Sequence, residues 1–258
     1  MYDLCIGALF RNEAHSMKEW IEHYIYHGVD HMYLINDASD DESCAILEPY
    51  VQSGFVTLFH ASWGRYLGRQ RDMYNHYILP LLPSTRWLLM CDIDEYVWSP
   101  QSIDLKKVLG VCNHIGQIQV QHTLFGSSHH QLQPESIVGS FTLRSTDSPT
   151  STPGNYKYFV NSAFKFTSLN VHHATFVHKE DELNKFLILK DPYFKMNHYN
   201  CQSRAFWREV KCKRGDSDSC RERSDADFAE IDQNDTFDNE LLLQNIPVLA
   251  KLGYKVSN

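Results

Sequence analysis

No stretch of this chain approaches the ~20 consecutive apolar residues that a bilayer-spanning helix needs. Its opening, MYDLCIGALF, has neither the basic start nor the cleavage site of a secretory leader. The chain therefore reads as soluble, either cytoplasmic or the catalytic domain of a longer protein. It also lacks a CxxC pair. Cys5, Cys44, Cys91, Cys112, Cys201, Cys212 and Cys220 are odd in number and widely spread, which excludes a zinc knuckle and a complete disulfide framework. Long basic runs are missing too: Lys and Arg number 24 against 32 Asp and Glu, a formal charge of −8. Nothing here is suited to a duplex phosphate backbone, so nucleic acid is not an expected partner. The sequon at Asn234 to Thr236 matters only in a secreted context.

What is present suffices for one folded unit. At 258 residues and 43% hydrophobic content, the chain can bury a full core, and residues 1–258 read as one catalytic domain. LCIGALF reads as a buried strand, and Met17, Trp20, Ile21, Tyr24 and Ile25 then fall on one helical face. HMYLI is a second strand, DDESCAILEPYVQSG a capped helix stopped by Gly54, and FVTLF a third strand. A helix over 69–82, interrupted by Pro80, leads into the fourth strand, RWLLMC. This β-α-β-α-β order predicts an α/β fold with a mainly parallel, Rossmann-like sheet whose ligands bind at the carboxyl ends of the strands. Beyond Pro100 the pattern changes. GQIQVQH, AFKF and VHHATFVH read as a smaller antiparallel part with one wetter face, RSTDSPTSTPGN (144–155) as a surface loop, and the chain from Gln202 as mainly helical. Residues 1–100 would form one half of the domain and 101–258 the other. The charged stretch KCKRGDSDSCRERSDAD reads as a solvated face.

WLLMCDIDEY (87–96) places Asp92, Asp94 and Glu95 directly after an apolar run. Carboxylates at i and i+2 beyond a strand tip can converge on a hard divalent cation and leave room for phosphate oxygens. A departing diphosphate needs such a cation to neutralise its growing charge.

ALFRNEAHSMKEWIEHYIYHGVDHMYLINDASDDES, then CDIDEY, then MNHYNCQSRAFW, together resemble the glycosyltransferases of family 92 and the related family 2, of GT-A fold. The shared pattern comprises Arg-Asn-Glu, a Glu-Trp helix, a Gly-Val-Asp turn, an Asp-rich turn with Ser, Asp-x-Asp-Glu and a late His-Tyr-x-x-x-Ser; it covers most of residues 4–215. The resemblance implies transfer of a sugar, hexose or pentose, from a nucleotide diphosphate sugar, a UDP-sugar first of all, to a hydroxyl of a glycan, glycoprotein or glycolipid. It implies Mn2+, or Mg2+, held by Asp92, Asp94 and His198, with Asp92 also facing the ribose. It places Asp37 on the nucleobase and Arg11 beside it at the first strand tip. A Gln or Arg near GRYLGRQRDMY (64–74) approaches the donor, and of Arg65, Arg69, Gln70 and Arg71 we select Arg71, whose guanidinium can pair with diphosphate oxygens. The Phe-Gly-Ser region within TLFGSSHH (123–130) is the expected acceptor-side loop.

Other readings stand beside these. Asp37 could accept the uracil N–H or bond its own backbone in an Asx-turn. Asp41 and Ser43 could simply cap the second helix, and Glu13 could reach the site or cap the first. A base for the acceptor could be Glu95, His122, Asp191 or Glu209. A phosphohydrolase of haloacid dehalogenase type also uses Asp-x-Asp after a strand, but here Tyr96 occupies the position where it usually has Thr or Val. An inactive carbohydrate-binding protein could keep the same fold.

Overall fold

The first strand, β1 (Tyr2–Phe10), is apolar without alternation and buried from Leu4 onward, as a strand covered on both faces is. Leu4, Ile6, Ala8 and Phe10 enter one hydrophobic cluster, and Cys5 and Leu9 enter another. This strand therefore separates two cores. The structure, a computed structural model, describes residues 1–146, 156–188, 193–215, 217 and 221–255.

The predicted alternation follows: α1 (Ala14–Tyr26), β2 (His31–Asp37), α2 (Ser43–Gln52), β3 (Val56–Ala61), α3 (Arg69–Met73) and β4 (Thr85–Met90). These four strands pair in parallel in the order β3-β2-β1-β4. The helix expected over 69–82 is α-helical only to Met73, then widens to a π-turn over Tyr74–Ile78 and tightens to a 3-10 turn over Leu79–Ser84. Pro80 and Pro83 have no N–H to contribute to a regular ladder. Gly7 lets this segment approach, since a Cβ there would stand 2.6 Å from Met90 Sδ and 3.0 Å from Ile78 Cδ1.

Beyond β4 come β5 (Glu95–Trp98), α4 (Leu105–Gly110), β6 (Gln117–Leu124), α5 (Ile137–Ser140), β7 (Leu143–Arg144), β8 (Tyr156–Asn161), β9 (Phe166–Leu169), β10 (Ala174–Phe176), β11 (Lys185–Ile188) and β12 (Lys195–His198). The sheet continues β4-β8-β6-β12-β5, with β11 also on β6, giving nine strands. Here β8 and β5 run antiparallel to their neighbours, whereas β11 and β12 lie parallel to β6. The second half is thus only partly antiparallel. Its polar alternation does not mark a wet face either: Gln117, Gln119 and Gln121 are buried. Gln117 bonds both the N–H and the C=O of Ala174 at 2.9 Å, and Gln119 bonds His172 O at 3.2 Å. The β9–β10 hairpin replaces water on that face.

The chain ends in α6 (Arg204–Phe206), a π-turn over Trp207–Lys211, α7 (Cys212–Arg214), α8 (Asp225–Ile231), β13 (Thr236–Phe237) and α9 (Glu240–Leu252). The small sheets β9–β10 and β7–β13 complete a mixed α/β, mainly parallel architecture with C-terminal helices, as expected for the GT-A fold. Among the described residues no helix is long and apolar enough to cross a membrane.

One buried carboxylate ties the first helix to the second half. Glu19, 1% exposed, accepts from Ile137 N at 2.7 Å, Val138 N at 2.9 Å and Ser136 Oγ at 3.1 Å. Glu19→Ala strands these donors in the interior, where each unsatisfied group costs ~1–3 kcal/mol. We expect the melting temperature to fall by about 5–10 °C; an unchanged melting curve would assign the contact no weight.

Candidate active site

After Met90 the chain leaves β4 and turns through Asp92, Ile93 and Asp94 before Glu95 opens β5. Ile93 points into the core at 1% exposure. The turn is held from beneath by α1. Trp20 Nε1 donates to Asp92 O at 3.1 Å and Glu95 O at 3.0 Å; Tyr24 OH donates to Glu95 O at 3.0 Å and accepts from Val97 N at 2.9 Å. Glu95 accepts from Asp92 N at 2.7 Å through Oε2. The Glu-Trp helix read from the sequence is therefore the clamp on the acidic turn.

Three carboxylates this close need compensation, and distant segments supply it. Lys157, at the start of β8, donates to Asp92 Oδ2 at 2.6 Å and lies 3.7 Å from Glu95 Oε2. Lys211 donates to Asp94, and Arg214 pairs with Glu13. Both lysines are buried. Burial pushes the Asp92 carboxyl up from its ordinary range, with Lys157 working against it. Burial acts upward on Asp94 as well, but Lys211 and His198 together hold it well below that range. Glu95 is likewise raised by burial and brought down by Lys157 and His122, to about 2. Burial and the neighbouring His198 take His122 down to about 4. At neutral pH the site thus holds ionised Asp94 and Glu95, with Lys211 and Lys157 as the nearest lysine charges.

These groups face a cavity of about 510 Å³ at the carboxyl edge of the parallel strands. Of the expected residues, Arg11, Asp92, Asp94 and His198 line it, as does Glu13. His198 closes β12, where it pairs in register with Glu95, and its Nε2 lies 3.5 Å from Asp94 Oδ1. Gln70 reaches Asp92 Oδ1 at 3.3 Å.

Two expected donor contacts are not brought here. Arg71 bonds Asp72 Oδ1 at 2.9 and 2.8 Å, is exposed, and lies outside the cavity lining. Its neighbour Arg69 turns inward and grips Asp37 with two hydrogen bonds of 2.7 and 2.5 Å. Residues two apart on a helix point about 200° apart, so Arg71 lies on the outer face of this segment. Asp37 is 2% exposed and likewise absent from the lining. It anchors the 63–69 loop, because Arg69 also bonds Trp63 O and Gly64 O, each at 3.1 Å. Asp41 and Ser43 join two helix starts: Asp41 accepts from Ala14 N and Ser43 N, and Ser43 Oγ from Glu13 N, all at 3.0 Å.

Among the candidate bases, Glu95 and His122 line the cavity, Glu209 is exposed elsewhere, and Asp191 lies outside the described residues. Within 123–130 only Leu124 lines the cavity. That loop is tied to the C-terminal segment through Ser127 N to Asp232 Oδ1 at 2.6 Å and Ser128 N to Asn234 Oδ1 at 2.7 Å. Sequence reasoning missed Lys157, Lys211 and Arg214 as site residues. The only hint was the charged stretch from Lys211, which reads as solvated.

The family model of glycosyltransferase family 92 matches residues 2–234. This chain belongs to glycosyltransferase family 92. A family 92 protein of Oryza sativa subsp. japonica is 25% identical over 218 residues, covering 82% of this chain and 35% of the relative. One from Ricinus communis is 22% identical over 214 residues, covering 81% and 37%. The family 92 chain described here thus matches only about a third of the length of these curated relatives. Among solved structures, S. aureus TarS 1-349 in complex with UDP aligns with TM-score 0.43 and 13% identity, over 76% of this chain and 60% of that one. The complex of the same TarS fragment with UDP-GlcNAc aligns with TM-score 0.41 and 12% identity, over 89% and 64%.

The Arg69–Asp37 pair gives a direct test of which arginine faces inward. Arg69→Met leaves a buried carboxylate without its partner, and we expect a loss of ~3–5 kcal/mol in urea unfolding. Arg71→Met lies on the surface and should stay within about 0.5 kcal/mol of wild type. The reverse order would restore Arg71 as the inward residue.

Proposed function

We propose that this family 92 chain transfers a sugar, hexose or pentose, from a nucleotide diphosphate sugar, a UDP-sugar, to a hydroxyl of a glycan, glycoprotein or glycolipid acceptor. Mn2+ or Mg2+ is proposed at Asp92, Asp94 and His198. One observation carries this reading: acidic and imidazole ligand atoms converge in the same cavity that Arg11, Lys157, Lys211 and Arg214 line with positive charge. Oxygen atoms of Asp92, Asp94 and Glu95 lie within 4.8 Å of one another, and so do ligand atoms of Glu95, His122 and His198. Both signs of charge in one cleft suit a diphosphate bound together with a cation.

The donor set fits a divalent ion. Asp94 Oδ1 and His198 Nε2 lie 3.5 Å apart, and Glu95 Oε1 and His122 Nε2 3.0 Å apart. When bound, such an ion neutralises charge developing on the departing diphosphate. The chain's own residues do the rest. Arg11 and Arg214 present guanidiniums to phosphate oxygens in the cavity, and Lys157 and Lys211 keep the acidic turn compensated before the donor arrives. Trp20 and Tyr24 fix the turn by its backbone, so its carboxylates need not reorganise on binding. The uridine preference rests on the family resemblance, because Asp37 is closed by Arg69. Family membership displaces the phosphohydrolase reading, and a binding-only protein remains as an outcome of the test.

That test incubates the protein with a panel of nucleotide sugars, an acceptor pool and Mn2+, and follows release of nucleotide diphosphate. We expect release from a UDP-sugar, its loss in excess EDTA, and a fall of about a hundredfold or more in Asp94→Asn with circular dichroism unchanged. Full turnover by metal-free protein in EDTA would remove the cation. Saturable donor binding with no release from any sugar would leave a binding protein.

A further inference from the structure

The buried glutamines of β6 hold a turn at the cavity wall. Gln119 donates to His172 O at 3.2 Å, and Gln117 bonds Ala174 N and O, each at 2.9 Å. Asn170 N donates to His173 O at 2.8 Å, closing the turn between β9 and β10, and Tyr158 OH donates to Asn170 O at 2.6 Å. Val171 and His172, in the middle of this turn, line the cavity. A backbone tied at so many points presents its side chains without rearranging.

The His172 ring is fixed as well. Its Nδ1 lies 3.0 Å from Tyr156 O; a carbonyl only accepts, so Nδ1 carries the ring proton and Nε2 keeps its lone pair. Burial, and then the charge of Lys157, push the imidazole down to about 4, so the ring is neutral at pH 7. Nε2 takes no hydrogen bond from the described residues and remains reachable from solvent.

Of the three imidazoles that line the cavity, His122 lies 3.0 Å from Glu95 and His198 3.5 Å from Asp94. His172 pairs with no carboxylate among the described residues. The charged side chains nearby are already engaged, Lys157 with Asp92, Lys211 with Asp94 and Arg214 with Glu13. The turn thus adds one uncharged acceptor and, next to it in the chain, one apolar side chain. That combination suits a sugar, whose hydroxyls donate and whose C–H faces are apolar. Position selects which sugar. The charges acting on His172 are those of Lys157, Glu95 and His198, all gathered at the acidic turn, and a diphosphate held there carries the transferred sugar on its terminal phosphate.

We propose that His172 accepts, through Nε2, a hydrogen bond from one hydroxyl of the transferred sugar, and that this contact sets which sugars the protein takes from the nucleotide. The inference rests on the nucleotide-sugar reading of the cavity and names the residue that tells one sugar from another.

The experiment removes hydroxyls one at a time. Calorimetry with Mn2+ and no acceptor measures binding of UDP, UDP-glucose, UDP-galactose, UDP-N-acetylglucosamine and UDP-xylose, then of each monodeoxy form of the tightest-binding sugar nucleotide. In wild type one monodeoxy form should bind about tenfold more weakly than its parent; in His172→Phe that penalty should fall to about twofold or less, with UDP affinity within about twofold of wild type. Wild type that binds every monodeoxy form as tightly as the parent overturns the proposal without any variant, so a His172→Phe protein that fails to fold leaves it open to refutation. A penalty that persists in His172→Phe overturns it too. Equal weakening of UDP and its sugar conjugate in the variant overturns it by assigning His172 to holding the turn. Wild type that binds none of the sugar nucleotides overturns the nucleotide-sugar reading itself, which the other outcomes leave standing.

Discussion

Three carboxylates within four residues, at the tip of a strand that otherwise lies in the core, set the constraint on which the structure depends. Each such group costs several kcal/mol to take out of water unless an opposite charge is fixed beside it. Lys157 meets Asp92 from 65 residues away and Lys211 meets Asp94 from 117 residues away. The antiparallel strand β8 must therefore lie between β4 and β6, and the segment after β12 must fold back over the cavity. The second half of the chain completes the electrostatics of the first.

The succession of the first four strands along the chain was legible because each carries an apolar run bounded by cap and turn residues. The acidic turn was legible because charge directly after WLLMC has few places to go. His198 and Arg11 came from the ordered set of motifs and do line the cavity. What stayed hidden was long-range or orientational. Nothing local in YKYFVN marks Lys157 as the partner of Asp92. Arg69 and Arg71 differ only in which side of a five-residue helix they occupy. The glutamines of β6 repeat with the period of a half-wet strand, yet a hairpin some fifty residues later covers them.

Fold and site are linked through one edge. β1, β4, β6 and β12 deliver their carboxyl ends to it, while antiparallel β8 and β5 begin there. Arg11, Asp92, His122, His198, Lys157 and Glu95 thus come from six strand ends around one cavity. Helix α1 holds the acidic turn by two indole and two phenol hydrogen bonds to backbone, so the turn is held by the strands on either side of it and by this clamp. Such placement is what a site needs if its charges are to act without rearranging.

The account's central claim is that this acidic turn is a seat for a divalent ion. Diffraction from crystals grown with Mn2+ and a non-transferable UDP-sugar, recorded above and below the manganese edge, tests it most directly. The account predicts an anomalous peak between the Asp94 carboxylate and His198 Nε2, with the diphosphate on its open side and Lys157 still on Asp92. A fully occupied nucleotide with no anomalous density there, or with the peak at a different group of residues, would contradict it.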